Sequence, residues 1–216
     1  MTERRYTTGE LEARSEDSGL TIIGHASVWD TPYDLHGFTE RVARGAFKKS
    51  LKEADVVALY NHDANVVLGR KHNGTLRLEE DDRGLRYEVA LPNTQAANDL
   101  HTLITRGDIH QSSFSFEVVK DEWEERDDAQ PLRTLKEVRL YDVSPVTFPA
   151  SSSTDVDVAR AVRSLREAMG IEGEADTVSD LMALRNTTPE PEPEPVEDHS
   201  ESTQSEPVAF KPIQGV

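Results

Sequence analysis

The chain has 216 residues, which is room for one compact domain of ordinary size plus extensions. Hydrophobic content of 36% is low for an all-globular chain and charged content of 30% is high, so part of the chain is not packed. A net charge of −17 argues against nucleic-acid binding, and the absence of cysteine excludes disulfides and thiol-based metal sites or nucleophiles.

In chain order, residues 1–5 lack the apolar stretch of a secretory signal. Residues 20–29 read as a strand containing Gly24. Residues 47–51 belong to a short helix after Gly45. Residues 56–60 and 66–69 read as short strands flanking Asn61-His62-Asp63. Residues 75–79 and 85–91 form a hairpin around Asp81-Asp82-Arg83-Gly84, with the glycine supplying the turn conformation. Pro92-Asn93-Thr94 signals a helix start, because Asn93 or Thr94 can accept from the first free amides of residues 95–106. Gly107 ends that helix. Residues 113–120 and 135–143 read as strands, with 123–131 a charged loop between them. Many short strands and few helices predict an α+β fold whose core is mostly antiparallel and barrel-like, with helices around it.

Residues 155–169 place Val156, Val162, Leu165 and Met169 at helical spacing, with Gly170 and Gly173 to end the helix. A second short helix fits 177–184. Thr188 then opens a Pro-Glu alternation, and residues 187–216 hold seven acidic side chains against Lys211 alone. Proline removes backbone donors and like charges repel, so this segment is expected to stay extended and solvated. The expected division is a compact domain over 1–152, a helical appendage over 153–186 and a disordered Pro/Glu-rich tail over 187–216. No apolar run approaches the ~20 residues needed to cross a bilayer. The expectation is a soluble protein made and used in a cytoplasm.

Three polar residues stand against apolar β-type segments: His62, Ser113 and Asp142. A base, a hydroxyl and a carboxylate near strand ends are what a serine hydrolase needs. They are far apart in sequence, so only the fold can assemble them. Each also has a plainer reading. His62 alone reads as a structural histidine, as do His25, His36, His72, His101 and His110. Strand alternation sets Phe114 and Phe116 on one face and Ser113 and Ser115 on the other, which also suits serines on a solvent-facing edge strand. Asp142 follows Val138 and Leu140 at period two, which puts it on their apolar face, where a carboxylate needs a partner. It could equally emerge at the strand end. There is no Gly-x-Ser-x-Gly elbow, His-Glu-x-x-His, phosphate-binding loop or basic-aromatic patch, and the Asp81-Asp82 and Asp155/Asp157 pairs are too sparse for a calcium loop.

Five segments in order carry a family resemblance. They are Gly24-His25-Ala26-Ser27-Val28-Trp29; Phe38-Thr39-Glu40 with Gly45-Ala46-Phe47; and Asn61-His62-Asp63 with Leu68-Gly69-Arg70. The remaining two are Arg106-Gly107-Asp108-Ile109 with Ser113-Phe114-Ser115-Phe116, and the run from Leu140-Tyr141-Asp142-Val143-Ser144 through Pro145-Val146-Thr147-Phe148-Pro149-Ala150. Together they resemble the prohead (capsid maturation) serine proteases of tailed bacteriophages, related to the herpesvirus assemblins.

The resemblance implies a serine endopeptidase over 1–152, with His62 as general base and Ser113 as nucleophile. The family usually reads Ser-Phe-Gly-Phe. Here Ser115 replaces the glycine and Ser112 precedes the nucleophile, so both compete for its role, although register against the two phenylalanines favours Ser113. Asp142 matches a commonly acidic position, with Glu137 the alternative third member. The implied substrates are scaffold, the amino-terminal region of the major capsid protein, and the protease itself. A homodimer, location inside the immature capsid in the host cytoplasm, and no cofactor, nucleic acid or membrane complete what is implied. The competing readings are an inactive assembly or scaffolding protein of the same fold, and an unrelated hydrolase or small-molecule-binding β-barrel.

Overall fold

The structure, a computed structural model, describes residues 2–7, 11–16, 19–35, 37–126, 129–148, 162–167, 170 and 180. The tail expected over 187–216 lies outside these residues. So do His36 and most of the two helices expected over 155–169 and 177–184, although 162–167 are helical. In chain order the elements are β1 (Glu3–Thr7), β2 (Leu11–Glu16), β3 (Gly19–Val28), β4 (Tyr33–Leu35), β5 (Phe38–Val42), α1 (Lys48–Glu53), β6 (Val57–Tyr60), β7 (Asp63–Arg70), β8 (Leu76–Glu80), β9 (Gly84–Ala90), α2 (Gln95–Arg106), β10 (Gln111–Arg126) and β11 (Ala129–Val146).

The fold is mostly β, in two sheets. One runs β1-β10-β11-β5-β4, with β6 paired to β11 and β7 to β6. The other runs β2-β3-β9-β8, all antiparallel. β11 pairs antiparallel with β10 but parallel with both β5 and β6. The apolar core draws on both sheets and α2, with Ile22, Leu85 and Tyr87 from one side and Phe114, Phe116 and Leu140 from the other. Phe114 stacks on Phe116 at 4.9 Å and meets Phe47 edge-on at 5.5 Å. Helix α2 begins as its residues dictate: the Thr94 side chain accepts from the Ala97 amide, and Gly107 closes it in the left-handed conformation at φ 82.

Three expectations need correction. Where a charged loop is expected over 123–131, the described residues 123–126 and 129–131 are instead strand, the distal part of a long β10–β11 hairpin. The charges that flank it pair across the ladder, Asp121 with Arg133 at 2.7 Å and Glu122 with Lys136 at 2.9 Å. Pro131 falls at a register shift, where the ladder does not call on its missing donor. Second, the barrel does not close. β1 and β4 end the first sheet without pairing to one another, and a cavity of about 300 Å³ lies against residues of both. Side chains join these edges instead, Arg5 of β1 and Tyr33 of β4 both bonding Glu40 of β5.

The third correction concerns Gly84, which is absent from the glycines with positive φ among the described residues. Its role is close approach. A Cβ there would lie 1.9 Å from the Ser27 carbonyl oxygen, beside a bulge between His25 and Ser27. Because the clashing atom is backbone, Gly84→Ala is expected to cost about 1–3 kcal/mol or more. A thermal melt checks this, and an unchanged midpoint would contradict it.

Candidate active site

His62 is positioned by a two-residue turn. β6 and β7 close with Tyr60 paired to Asp63, leaving Asn61 and His62 as the central residues. Both have positive φ, 53° and 57°, the pattern of a type I′ hairpin turn whose twist suits the flanking strands. Asparagine tolerates that conformation, whereas histidine pays about 1 kcal/mol of strain. Bonds to the end of β11 hold the turn: the Asn61 amide donates to the Pro145 carbonyl at 3.0 Å, and Asn61 Oδ1 accepts from the Thr147 amide at 2.8 Å.

Ser113 sits on β10, opposite Tyr6 of β1 on one side and Ser144 of β11 on the other. The expected alternation appears, with Phe114 and Phe116 in the core and Ser113 and Ser115 on the reverse face. Asp142 reaches that reverse face by a route that simple alternation misses. Phe116 pairs with Leu140 but Ser115 pairs with Asp142, so Tyr141 is an extra, unpaired residue. This β-bulge turns the strand over, and Asp142 faces away from the apolar side of Val138 and Leu140.

These elements bring three side chains together. His62 Nε2 lies 2.6 Å from Ser113 Oγ, and His62 Nδ1 lies 2.6 Å from Asp142 Oδ1. Asp142 accepts two more bonds, from Ser115 at Oδ2 and from Ser144 at Oδ1, the latter at 2.8 Å. Ser113 Oγ also lies 2.8 Å from the Arg5 carbonyl oxygen. The cluster is dry: Ser113 is fully buried and the His62 side chain is 5% exposed. Burial pushes the Asp142 carboxyl up, but the bond and charge of His62, with the Ser115 and Ser144 hydroxyls, hold it below the usual carboxylate value.

The other candidates lie elsewhere. Ser112 is on the core face, its hydroxyl 2.7 Å from the Tyr87 hydroxyl. Ser115 meets the carboxylate and not the imidazole. Glu137 lies 3.2 Å from the Lys49 ammonium, about 16 Å along β11 from Asp142. His25 pairs with Asp81 and His101 with the Arg14 carbonyl. Ser144 and Asn61 received no role from the sequence. The available signal was Ser144 two positions after Asp142, facing the Ser113/Ser115 pair.

The profile of the caudovirus prohead serine protease family matches residues 8–168. No curated protein matches the chain. Among solved structures, the chain is similar to the bacteriophage T4 capsid assembly protease. The identity is 11% and the TM-score 0.45, over 68% of this chain and 97% of that one. The family match spans well over half of the sequence, from the strand before Gly24 to beyond β11, and the protein belongs to the caudovirus prohead serine proteases.

Proposed function

We propose that the chain is an active serine endopeptidase of prohead maturation, with His62, Ser113 and Asp142 as its triad. The observation that carries this reading is the pair of 2.6 Å contacts linking hydroxyl, imidazole and carboxylate in one line. Asp142 holds the proton on Nδ1, which leaves Nε2 free to accept from Ser113. As Ser113 Oγ attacks a peptide carbonyl carbon, its proton passes to Nε2. Asp142, ionised at neutral pH, stabilises the imidazolium that forms. The imidazolium then protonates the departing amine, and water releases the acyl group by the same relay in reverse.

The Ser113 hydroxyl has one proton and two acceptors within reach, Nε2 and the Arg5 carbonyl oxygen. Donation to Nε2 is the reactive arrangement. Donation to the Arg5 carbonyl turns the proton away from Nε2 and is the unreactive arrangement.

The substrates proposed are capsid proteins inside the immature particle in the host cell: scaffold, the major capsid protein's amino-terminal region, and the protease itself. We place the catalytic unit at 1–152, with 153–186 an appendage and the acidic 187–216 the segment removed by self-cleavage. Co-expression of the full chain with its capsid protein tests this. Intact-mass spectrometry should find shortened capsid protein and a chain lacking its acidic end, and only full-length species with Ser113→Ala. Full-length capsid protein with the parent chain would support the inactive assembly reading. Cleaved capsid protein beside an intact protease would remove only the self-cleavage part.

A further inference from the structure

Asp142 is a carboxylate with four lone-pair positions, largely taken out of water, and among the described residues its one titratable hydrogen-bond partner is His62. Such a group is costly to bury unless its remaining positions are filled. Two strands fill two of the three that His62 leaves. Ser115 on β10 donates to Oδ2, and Ser144, two residues along β11, donates to Oδ1 and lies 3.4 Å from His62 Nδ1. Both serines are buried, at 2% and 0% exposure, so water does not substitute for them. Their register is set by the backbone: Ser115 pairs with Asp142 and Ser144 with Ser113.

We infer that Ser115 and Ser144 are positioning residues that clamp the Asp142 carboxylate from opposite sides and so fix its aim at His62 Nδ1. This rests on the triad proposed above. The clamp has an electrostatic side. In the active state the pair carries neutral imidazole and carboxylate, a net negative charge that hydroxyl donors stabilise. In the acid state imidazolium already neutralises the carboxylate, and the same donors count for less. Removing them therefore favours the acid state. The neighbouring strands bring few charges to this face. Arg4 of β1 lies opposite Ser115 and exposed, while Glu117 of β10 is held by Tyr141 and Arg139. On the β6–β7 side the partner is His62 itself.

The test is the pH dependence of covalent labelling of the full chain by a serine-directed phosphonate probe. The parent should label with an acid limb set by the His62–Asp142 pair. Ser115→Ala with Ser144→Ala should label at least tenfold more slowly at neutral pH, with the acid limb about one pH unit higher. Ser144→Thr, which keeps a hydroxyl, should recover part of both. A double variant that melts with the parent and shows its pH profile unmoved overturns the clamp. A slower rate with an unmoved limb also overturns it, because lost packing alone would do that. If the parent does not label, or Ser113→Ala labels equally, the triad reading has failed rather than the clamp.

Discussion

Ser113→Ala is expected to lower peptide-bond cleavage by about 10⁴- to 10⁶-fold, the scale of losing a triad nucleophile, while leaving the melting temperature close to the parent's. His62→Ala should fall by a similar factor. The double variant should be no worse than either single one, because the two side chains act through one 2.6 Å contact and the second removal finds nothing left to disable. Asp142→Asn should lose about 10⁴-fold, since an amide would favour the wrong imidazole tautomer. The measurement is single-turnover cleavage of a capsid-derived segment. Additive losses in the double variant would mean that His62 does not serve Ser113. Retained cleavage in Ser113→Ala, with loss in Ser115→Ala, would move the nucleophile by two positions.

The second large effect concerns stability. Glu40 is fully buried, held by Arg5 at 2.7 Å, Arg133 at 3.0 Å and the Tyr33 hydroxyl at 2.6 Å. Arg133 also meets Asp121 at 2.7 Å, and Arg5 meets Glu3 at 2.7 Å. The network ties β1, β4, β5, β10 and β11 where no backbone ladder joins β1 to β4. Glu40→Ala leaves two buried guanidinium groups short of charge and should cost about 3–5 kcal/mol, a large share of a domain's total. Urea unfolding measures it, and a change under 1 kcal/mol would show the network to be dispensable.

The sign of the pH effect follows from the same group. Burial pushes Glu40 up, but Arg5 and Arg133 hold it below the ordinary carboxyl value. A lowered folded value contributes stability that is present above the unfolded value, near 4.5. That contribution is lost as pH falls towards the folded value. The parent should therefore destabilise more steeply on acidification below about pH 5 than Glu40→Ala does.

Much of this was readable from residue pattern, for local reasons. Thr94 and Gly107 bracket α2 because capping chemistry is local. Phe114 and Phe116 separate from Ser113 and Ser115 because strand alternation is local. What was not readable depended on partners distant in sequence. Trp123 to Arg126 looked like a charged loop until Arg133 and Lys136 arrived to pair with the adjoining acids. A period-two count gives Asp142 the face of Leu140, because an unpaired Tyr141 leaves no mark in it. β1 carries no strand signal in its sequence: its buried Glu3 and Arg5 make sense only beside Glu40 and Arg133. Gly84 reads as a turn residue because its true neighbour, the Ser27 carbonyl, belongs to another strand.

β11 is flanked by β10 on one side and β6 on the other, and Asp142 takes part in both pairings, with Ser115 and with Val57. The hydroxyl, carboxylate and imidazole of the proposed triad are thus mounted on three adjoining rails of one backbone lattice, with the imidazole at the tip of a hairpin stapled to the middle rail. Under the proposed mechanism nothing remains to be brought together, yet the hydroxyl is closed off from solvent. If the triad acts as proposed, its timing is a question of admission, because the reacting groups already stand in contact while the hydroxyl lies out of solvent.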